Sequence, residues 1–246
     1  MTLKTKWQSR AKILRAAFLF LVLFGGILGS ALILHPDTPL PDAWNPLKPL
    51  AVSDELTPLT GWKLSRTVRD PAACLVALND AGRISANPAF FDSNDQCYIS
   101  APVEVQQIGS ARMSGIETDC ATALRLAMWE QHDLQALART HLQTDVSAIR
   151  DIGSYNCRAM RTSRGATGRM SSHATASAID IVGFRFGNGD SVSLLRDWDG
   201  AGQKSAFLKA ARDSACKWFP VTLSPDYNTL HADHFHLQAT GWGLCR

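Results

Sequence analysis

The chain contains no Cys-x-x-Cys pair, no internal repeat and no low-complexity tract. Without closely paired cysteines, a cysteine-ligated zinc site and a thioredoxin-like redox function are both disfavoured. With 46% hydrophobic and 19% charged residues, and without biased segments, the chain is typical of a globular protein rather than a disordered one. Its 246 residues suffice for one medium domain or two small ones.

Acidic residues are missing from residues 1–15, which contain five basic residues. This segment accounts for the formal net charge of +3, because the remaining chain has 20 basic and 22 acidic residues and a net charge of about −2. The positive charge of the whole chain is therefore a property of its first residues. We expect no basic surface for nucleic acid on the rest of the protein.

Charge is also missing from residues 16–34, a run of 19 mostly apolar residues. At about 1.5 Å per residue, a helix of this length crosses the roughly 30 Å of a bilayer core. The basic tail of residues 1–15 should stay in the cytoplasm, so we predict a single-pass anchor in the cell inner membrane, with the following domain in the periplasm. The alternative is a cleaved signal peptide, although its apolar region usually has about 7–15 residues.

The six cysteines all follow the apolar segment, at positions 74, 97, 120, 157, 216 and 245. In an exported domain an even number of cysteines predicts disulfides, here up to three. Six cysteines allow 15 pairings, and the sequence does not select one. If successive cysteines pair in their order along the chain, the disulfides are 74–97, 120–157 and 216–245, and this is the set that we predict.

Five prolines lie between residues 36 and 49. Closely spaced prolines favour a stiff, extended backbone that cannot form a helix. We therefore predict a Pro-rich linker over residues 35–63 that lifts a globular domain of residues 64–246 from the membrane. A loop packed on the domain is the alternative.

The globular part mixes helical and strand patterns without regular alternation. The patterns predict helices at 71–80, 119–141 and 203–218, strands within 103–108, 146–157, 177–186, 191–195 and 235–237, and a polar loop at 165–169. This order is typical of an α+β fold. We expect a small antiparallel or mixed sheet with flanking helices.

Four of the seven histidines lie in two short segments, residues 171–180 and 231–236. In the first, His173 and Asp180 can meet at one metal if His173 is in a loop and Asp180 is on the strand that follows. Because Asp180 lies in an apolar run, its carboxylate needs a cation or hydrogen-bond donors. Pairing with an arginine or with backbone amides is the alternative role for Asp180.

In the second segment, His234 and His236 are two residues apart, so on a strand they project from the same face. A His-x-His pair alone is more often a surface or hydrogen-bonded pair. In combination with His173 and Asp180, however, it predicts a metal site. Three protein ligands and one open position are what a hydrolytic zinc site needs.

These residues resemble a known group of enzymes. Ser171–Asp180 is similar to the Ser-x-His-x-x-Gly-x-Ala-x-Asp motif of the LAS metallopeptidases, which comprise lysostaphin-type enzymes, D-Ala-D-Ala peptidases and the hedgehog signalling domain, and His234–His236 is similar to their second motif. More closely, residues 70–246 resemble the bacterial extensin-like C-terminal domain family, through Ser154–Arg158, Pro225–Asn228 and the cysteine pattern. The resemblance implies a fold like that of hedgehog and the D-Ala-D-Ala peptidases.

The resemblance also implies roles for individual residues. It implies three Zn²⁺ ligands: His173, Asp180 and His236. His234 is then the histidine that assists catalysis, while Asp233 stands near the place where related peptidases have an acidic general base. We favour His234 for this role, because on a continuous strand Asp233 faces away from the site. His231 is expected to support the site or contact the substrate.

Two further residues follow from the same resemblance. Arg158 occupies a position where relatives have an arginine that can hold a substrate carboxylate or stabilise an oxyanion, with a structural salt bridge as the alternative. Ala176 departs from the motif, which usually has glycine there. Alanine keeps the position small but does not allow backbone angles that only glycine adopts.

Together with a location outside the inner membrane, the resemblance implies a hydrolase that cleaves amide bonds in peptidoglycan peptides, as a carboxypeptidase or an endopeptidase. Zinc lowers the pKa of a water ligand, and His234 or Asp233 would transfer the proton. A zinc-stabilised cell-wall binding or scaffold domain without turnover is the alternative, favoured if His234 is a fourth ligand. A non-haem iron oxygenase is disfavoured because its usual His-x-Asp spacing is missing.

Overall fold

The computed structural model describes residues 3–35, 37–79, 81–87, 90–91, 95–162 and 165–246. The helices are α1 (Leu3–Leu34), α2 (Thr60–Thr67), α3 (Pro71–Leu78), α4 (Cys120–Trp129), α5 (Gln135–Leu142), α6 (Leu194–Asp197) and α7 (Gln203–Trp218). The first strands are β1 (Gly82–Ala86), β2 (Phe90–Phe91), β3 (Tyr98–Ile99), β4 (Pro102–Ile108), β5 (Ala111–Asp119) and β6 (Val146–Gly153). The later strands are β7 (Ala159–Thr162), β8 (Gly165–Met170), β9 (Ala178–Phe186), β10 (Ser191–Ser193), β11 (Val221–Leu223), β12 (Phe235–Gln238) and β13 (Leu244–Cys245).

The chain forms two compact units, one of Met1–Pro49 with Asp54–Lys63 and one of Leu50–Ser53 with Leu64–Arg246. In the first, Lys12–Leu34 of α1 is 23 residues long and apolar enough to cross a membrane. This length and composition fit a membrane anchor and a signal sequence alike.

The chain after α1 folds back on itself within the same unit. A short 3-10 turn follows at Asp42–Trp44, and the Asn45 Nδ2 atom donates to the Ile33 carbonyl at 3.1 Å. The Lys63 ammonium donates to the Asp42 carbonyl at 2.6 Å. The predicted proline-stiffened extension is thus interrupted by a turn with its own hydrogen bonds.

The second unit is built on a mixed sheet. Its strands follow the order β1-β4-β5-β6-β9-β12-β11-β13, with β10 also pairing with β9, which makes nine strands among the described residues. Pairs β5·β6 and β11·β13 are parallel and the other pairs are antiparallel. The α+β prediction is confirmed, with a sheet larger than we expected.

Helices α4, α5 and α7 pack together and cover one face of this sheet. Phe184 of β9 contacts Trp129 of α4 and Phe207 of α7 edge-on, with ring centroids 6.2 Å and 5.4 Å apart. The Trp129 indole N–H donates to the Ser214 hydroxyl at 2.8 Å, so this buried polar group has a partner. The predicted helix at 203–218 is confirmed as α7.

A bulge in β9 changes which residues of the strand face the core. Consecutive residues Arg150 and Asp151 of β6 pair with Gly183 and Ile181 of β9, so Val182 is an extra residue. An extra residue shifts the alternation of side chains between the two faces. Ile181 before the bulge and Phe184 after it can therefore both enter the core.

The predicted helix at 119–141 is interrupted in its middle. Residues Glu130–Leu134 form a wider π-helical turn between α4 and α5. The buried carboxylate of Glu130 accepts hydrogen bonds from the Ser110 amide at 3.1 Å and from the Gln135 side chain at 2.7 Å. These contacts satisfy a charged group that burial would otherwise penalise. Nothing in the sequence pattern indicates this turn.

The predicted polar loop at 165–169 is wrong, because these residues belong to strand β8. β8 pairs with β7 as an antiparallel hairpin, with Arg161 opposite Ala166 and Thr162 opposite Gly165. Residues 163 and 164, between the two strands, lie outside the described residues. Polar and glycine residues resemble a loop in sequence, but here a neighbouring strand supplies the backbone hydrogen bonds.

Two of the three disulfides expected from chain order are wrong. The structure pairs Cys74 with Cys120, Cys97 with Cys157, and Cys216 with Cys245. The first bond joins α3 to the start of α4, two helices that pack together. The third agrees with chain order because β13, which contains Cys245, lies beside β11, the strand that follows α7. Packing, rather than proximity in sequence, selects the partners.

Gly183 gives a direct test of the strand arrangement. A Cβ atom at this residue would lie 2.2 Å from the carbonyl oxygen of Val192, so we expect Gly183→Ala to destabilise the domain by about 1–3 kcal/mol. Thermal unfolding followed by circular dichroism measures the change. Gly168→Ala is the matched control, since a Cβ atom at that residue would have no neighbour within 4 Å. An unchanged melting temperature for Gly183→Ala would contradict the packing of β9 against β10.

Candidate metal centre

His173 is held in a short turn between β8 and β9. It lies in the 3-10 turn Ser172–Thr175, its side chain is buried, and its backbone amide donates to the Ser171 hydroxyl at 3.3 Å. The turn ends at Ala176, which adopts left-handed angles of φ 49° and ψ 24°. Such angles cost a non-glycine residue about 1–2 kcal/mol but do not require glycine. The departure from the motif at Ala176 is therefore compatible with the turn.

Buried hydroxyl groups surround the carbonyl of Ala176. Thr118 and Thr122 donate to it at 3.2 Å and 2.9 Å, and the Ser154 hydroxyl, 3.3 Å from it, donates to the Ala178 carbonyl at 2.6 Å. All three are buried, so their hydrogen bonds are shielded from competition with water. This arrangement fixes the turn that leads from His173 into β9.

Asp180 and His236 face each other across β9 and β12, where they form a register pair. Their neighbours on each strand, Ile179 and Leu237 among them, are fully buried in the core on the other face. Alternation along the strands therefore directs the carboxylate and the imidazole away from the helices. His234 and His236 were expected to share a strand face, but β12 begins at Phe235, so only His236 lies on the strand and His234 immediately precedes it.

Three side chains converge at this point: His173, Asp180 and His236. The His173 Nε2 atom lies 3.2 Å from His236 Nδ1 and 3.2 Å from Asp180 Oδ2. His236 Nδ1 lies 2.9 Å from Asp180 Oδ1. With one donor atom from each residue, the three donors lie within 4.8 Å of one another. Ligands about 2.1 Å from a tetrahedral zinc ion are about 3.4 Å apart, so the three side chains fit one ion with small adjustments.

Hydrogen bonds to the other ring nitrogens indicate which atoms have lone pairs. His173 Nδ1 lies 2.7 Å from the Ser154 carbonyl oxygen, which only accepts, so the proton is assigned to Nδ1 and the lone pair to Nε2. His236 Nε2 lies 3.4 Å from the Ser172 hydroxyl and 3.5 Å from Gln238 Oε1. A proton there leaves His236 Nδ1 with a lone pair. Two imidazole lone pairs and a carboxylate then point at one another.

Asp180 keeps its charge at this position. Burial disfavours the ionised carboxyl, but when the facing nitrogens of His173 and His236 carry protons instead of binding a metal, their hydrogen bonds and positive charge outweigh burial and hold the pKa of Asp180 well below its usual value. Among the described residues, the ion pairs of Asp180 are with histidines only. The alternative role for Asp180, pairing with an arginine, therefore finds no support. A buried carboxylate with two imidazoles is a set of donors suited to zinc.

A comparison with known protein families matches the part of the chain that contains the three converging side chains. A family model described as "Extensin-like protein C-terminus" matches residues 72–246, which is more than half of the chain. The chain belongs to this family. No curated protein and no solved structure matches it. The match includes the six cysteines and the three converging side chains of the extensin-like domain.

His234 lies next to the three converging side chains of the extensin-like domain. Its Nε2 atom is 3.8 Å from Asp180 Oδ1, and its Nδ1 atom is 2.7 Å from Asp233 Oδ1. Asp233 is in a turn before β12, and its side chain is 55% exposed. The chain therefore does turn just before His234, but Asp233 contacts His234 rather than the converging side chains. The two candidate proton carriers form one pair.

His231 lies on the outer side of the histidine group. Its ring centroid is 5.2 Å from that of His234 and 5.8 Å from that of His236. Its Nδ1 atom is 2.8 Å from the Asn228 side-chain oxygen. Burial, together with the like charges of His234 and His236, lowers the pKa of His231 to about 4, so this imidazole is neutral at neutral pH.

Arg158 is not brought to the converging side chains by any contact among the described residues. Its guanidinium donates to the Ala159 carbonyl at 3.4 Å, and its own carbonyl accepts from the Ser171 amide at 3.0 Å. The backbone of Arg158 therefore lies beside the turn that contains His173. A salt bridge, the alternative role for Arg158, is also not found among the described residues.

Sequence reasoning missed three residues that orient the imidazoles: Ser154, Ser172 and Gln238. Gln238 had a signal, because it is two residues after His236 and shares its strand face. Ser172 adjoins His173 in the first motif. Ser154 contributes its backbone carbonyl, which no side-chain pattern predicts.

Metal retention by point variants tests the division of roles. We expect His236→Ala to lose zinc, because it removes one of three converging donors, and His234→Ala to retain it. Metal analysis of the purified full-length variants after dialysis is the measurement, with His141→Ala on α5 as the control. Equal zinc loss in His234→Ala and His236→Ala would mean that His234 is a ligand.

Proposed function

We propose that the extensin-like domain is a zinc-dependent hydrolase that cleaves amide bonds in peptidoglycan peptides. The observation that carries the proposal is the convergence of two imidazole lone pairs and the Asp180 carboxylate, with His234 beside them. The proposal also places α1 in the inner membrane and the domain in the periplasm. Three disulfides fit an oxidising compartment.

The ligands in this proposal are His173, Asp180 and His236. Zinc with three protein ligands lowers the pKa of a water molecule toward about 7 and polarises a substrate carbonyl. The Ser154 carbonyl orients His173 through its Nδ1 proton. Partners of this kind fix the tautomer and ring orientation of a histidine ligand.

His234 is the proton carrier in the proposed reaction. Its contact with the Asp233 carboxylate assigns a proton to Nδ1 and leaves Nε2 free to accept one. Nε2 faces the converging side chains, 3.8 Å from Asp180. His234 would take the proton of the attacking water and give it to the leaving amine. Asp233 orients the imidazole and stabilises its charged form, as the carboxylate does in a catalytic triad.

Arg158 is the proposed partner of the developing oxyanion or of a substrate carboxylate. Its only described side-chain contact is a long hydrogen bond to the next residue's carbonyl. The guanidinium therefore gives up only this weak hydrogen bond when it turns toward a substrate.

The substrate class rests on motif resemblance and location. Ser171–Asp180 and His234–His236 resemble the two metal motifs of the LAS metallopeptidases, and several members of that group act on cell-wall peptides. The proposed relation to the hedgehog and D-Ala-D-Ala peptidase fold rests on these same two motifs. A periplasmic domain tethered to the inner membrane has peptidoglycan within reach, which supports the proposal.

A zinc-stabilised binding or scaffold domain is the second candidate. The 3.8 Å separation between His234 Nε2 and Asp180 Oδ1 is close to the spacing of two ligands on one ion. If His234 became a fourth ligand, the site would be closed, as structural zinc sites are.

Digestion of purified muropeptides decides between the two candidates. With zinc-loaded full-length protein in detergent, we expect new amine and carboxyl termini by mass spectrometry. His234→Ala should slow their formation by about 100-fold or more, the usual contribution of a general base, while His141→Ala should not. No product across varied cross-link types, with zinc bound, would favour the scaffold.

A further inference from the structure

Positive charge is concentrated in the segment that leads into the metal centre. Between Asp151 and Asp180 the sequence contains no acidic residue and no lysine, but four arginines, at positions 158, 161, 164 and 169. The chain beyond residue 15 has an overall net charge of about −2. This segment therefore differs in sign from the molecule around it.

The structure places Arg161 on β7 and Arg169 on β8. Arg161 and Arg169 are exposed and Arg158 is half-buried at the base, whereas Arg164 lies outside the described residues. Within the described parts of the chain, neither Arg161 nor Arg169 forms an ion pair. An exposed guanidinium can bind a carboxylate or another anion with its paired N–H groups.

The base of the hairpin is fixed to the metal centre. The Cys97–Cys157 disulfide holds the residue before Arg158. The Ser171 amide donates to the Arg158 carbonyl at 3.0 Å, and the Asn156 amide donates to the His173 carbonyl at 2.9 Å. Both ends of the hairpin are thus hydrogen-bonded at the turn that contains His173. The base of the hairpin is therefore fixed beside the turn that contains His173, one of the proposed ligands.

We propose that the β7–β8 hairpin binds the free carboxylates of the peptide on which the metal centre acts, through Arg161 and Arg169. Arginine pairs with a carboxylate by two parallel hydrogen bonds, which gives direction as well as attraction. The inference rests on the proposed function for its substrate class. It adds that the preferred peptides have unmodified carboxyl groups, and that amidated or fully blocked peptides are poor ligands.

Binding of matched peptides to the full-length protein in detergent tests this role. The probes are a purified muropeptide with free carboxylates and the same muropeptide after chemical amidation, with His234→Ala as the background to prevent turnover. We expect Arg161→Gln with Arg169→Gln to weaken binding of the free-carboxylate peptide about threefold to tenfold, as for two exposed ion pairs. The same variant should lose most of the salt dependence of binding.

The control is Arg83→Gln with Arg196→Gln, two exposed arginines on β1 and α6, which should leave affinity unchanged. Equal affinity of the wild-type hairpin for free and amidated peptides would overturn the inference. So would tighter, arginine-dependent binding of a phosphate polymer than of the peptide.

The binding test of the hairpin and the digestion test of the proposed hydrolase can succeed or fail independently. Arginine-dependent binding without products in the wild-type digest would support the hairpin and contradict the hydrolase. Equal cleavage of free and amidated peptides would support the hydrolase and contradict the hairpin.

Discussion

The antiparallel pairing of β9 with β12 is the constraint on which the rest of the site depends. It sets Asp180 opposite His236 and leaves a carboxylate and an imidazole in contact on the face away from the helices. His173 completes the group only because its Nδ1 proton is donated to Ser154. His173 Nε2 and His236 Nδ1 then lie 3.2 Å apart, and each lies within 3.2 Å of one Asp180 oxygen, an arrangement that is costly unless a proton or a cation lies between them.

Two local distortions reconcile this site with the hydrophobic core. The extra residue Val182 changes which face of β9 is buried, so Asp180 can face the site while Phe184 packs against α4 and α7. The left-handed turn at Ala176 brings His173 back over the start of the same strand. Strain of this kind persists where the surroundings determine the conformation, and here the buried hydroxyls of Thr118 and Thr122 donate to the Ala176 carbonyl.

Sequence patterns predicted the features that depend on short-range periodicity. Helix α7 follows from a run without glycine or proline, and the alternation at His234–His236 gave the correct face for His236. Features that depend on packing between distant segments could not be read from the chain. The pairing of Cys74 with Cys120 accompanies the packing of α3 on α4, and Glu130 in the π-helical turn accepts a hydrogen bond from Ser110, between β4 and β5. The contact of Asp233 with His234 depends on the backbone turn before β12, which strand alternation does not predict.

X-ray absorption at the zinc edge of the zinc-loaded, full-length protein is the most direct test of the central claim, that His173, Asp180 and His236 bind one ion while His234 stays free. The account predicts two imidazole nitrogens and oxygen ligands at about 2.0–2.2 Å. A spectrum with three imidazoles would make His234 a ligand, and one with sulfur or without imidazole would place the zinc elsewhere. Either result would contradict the account.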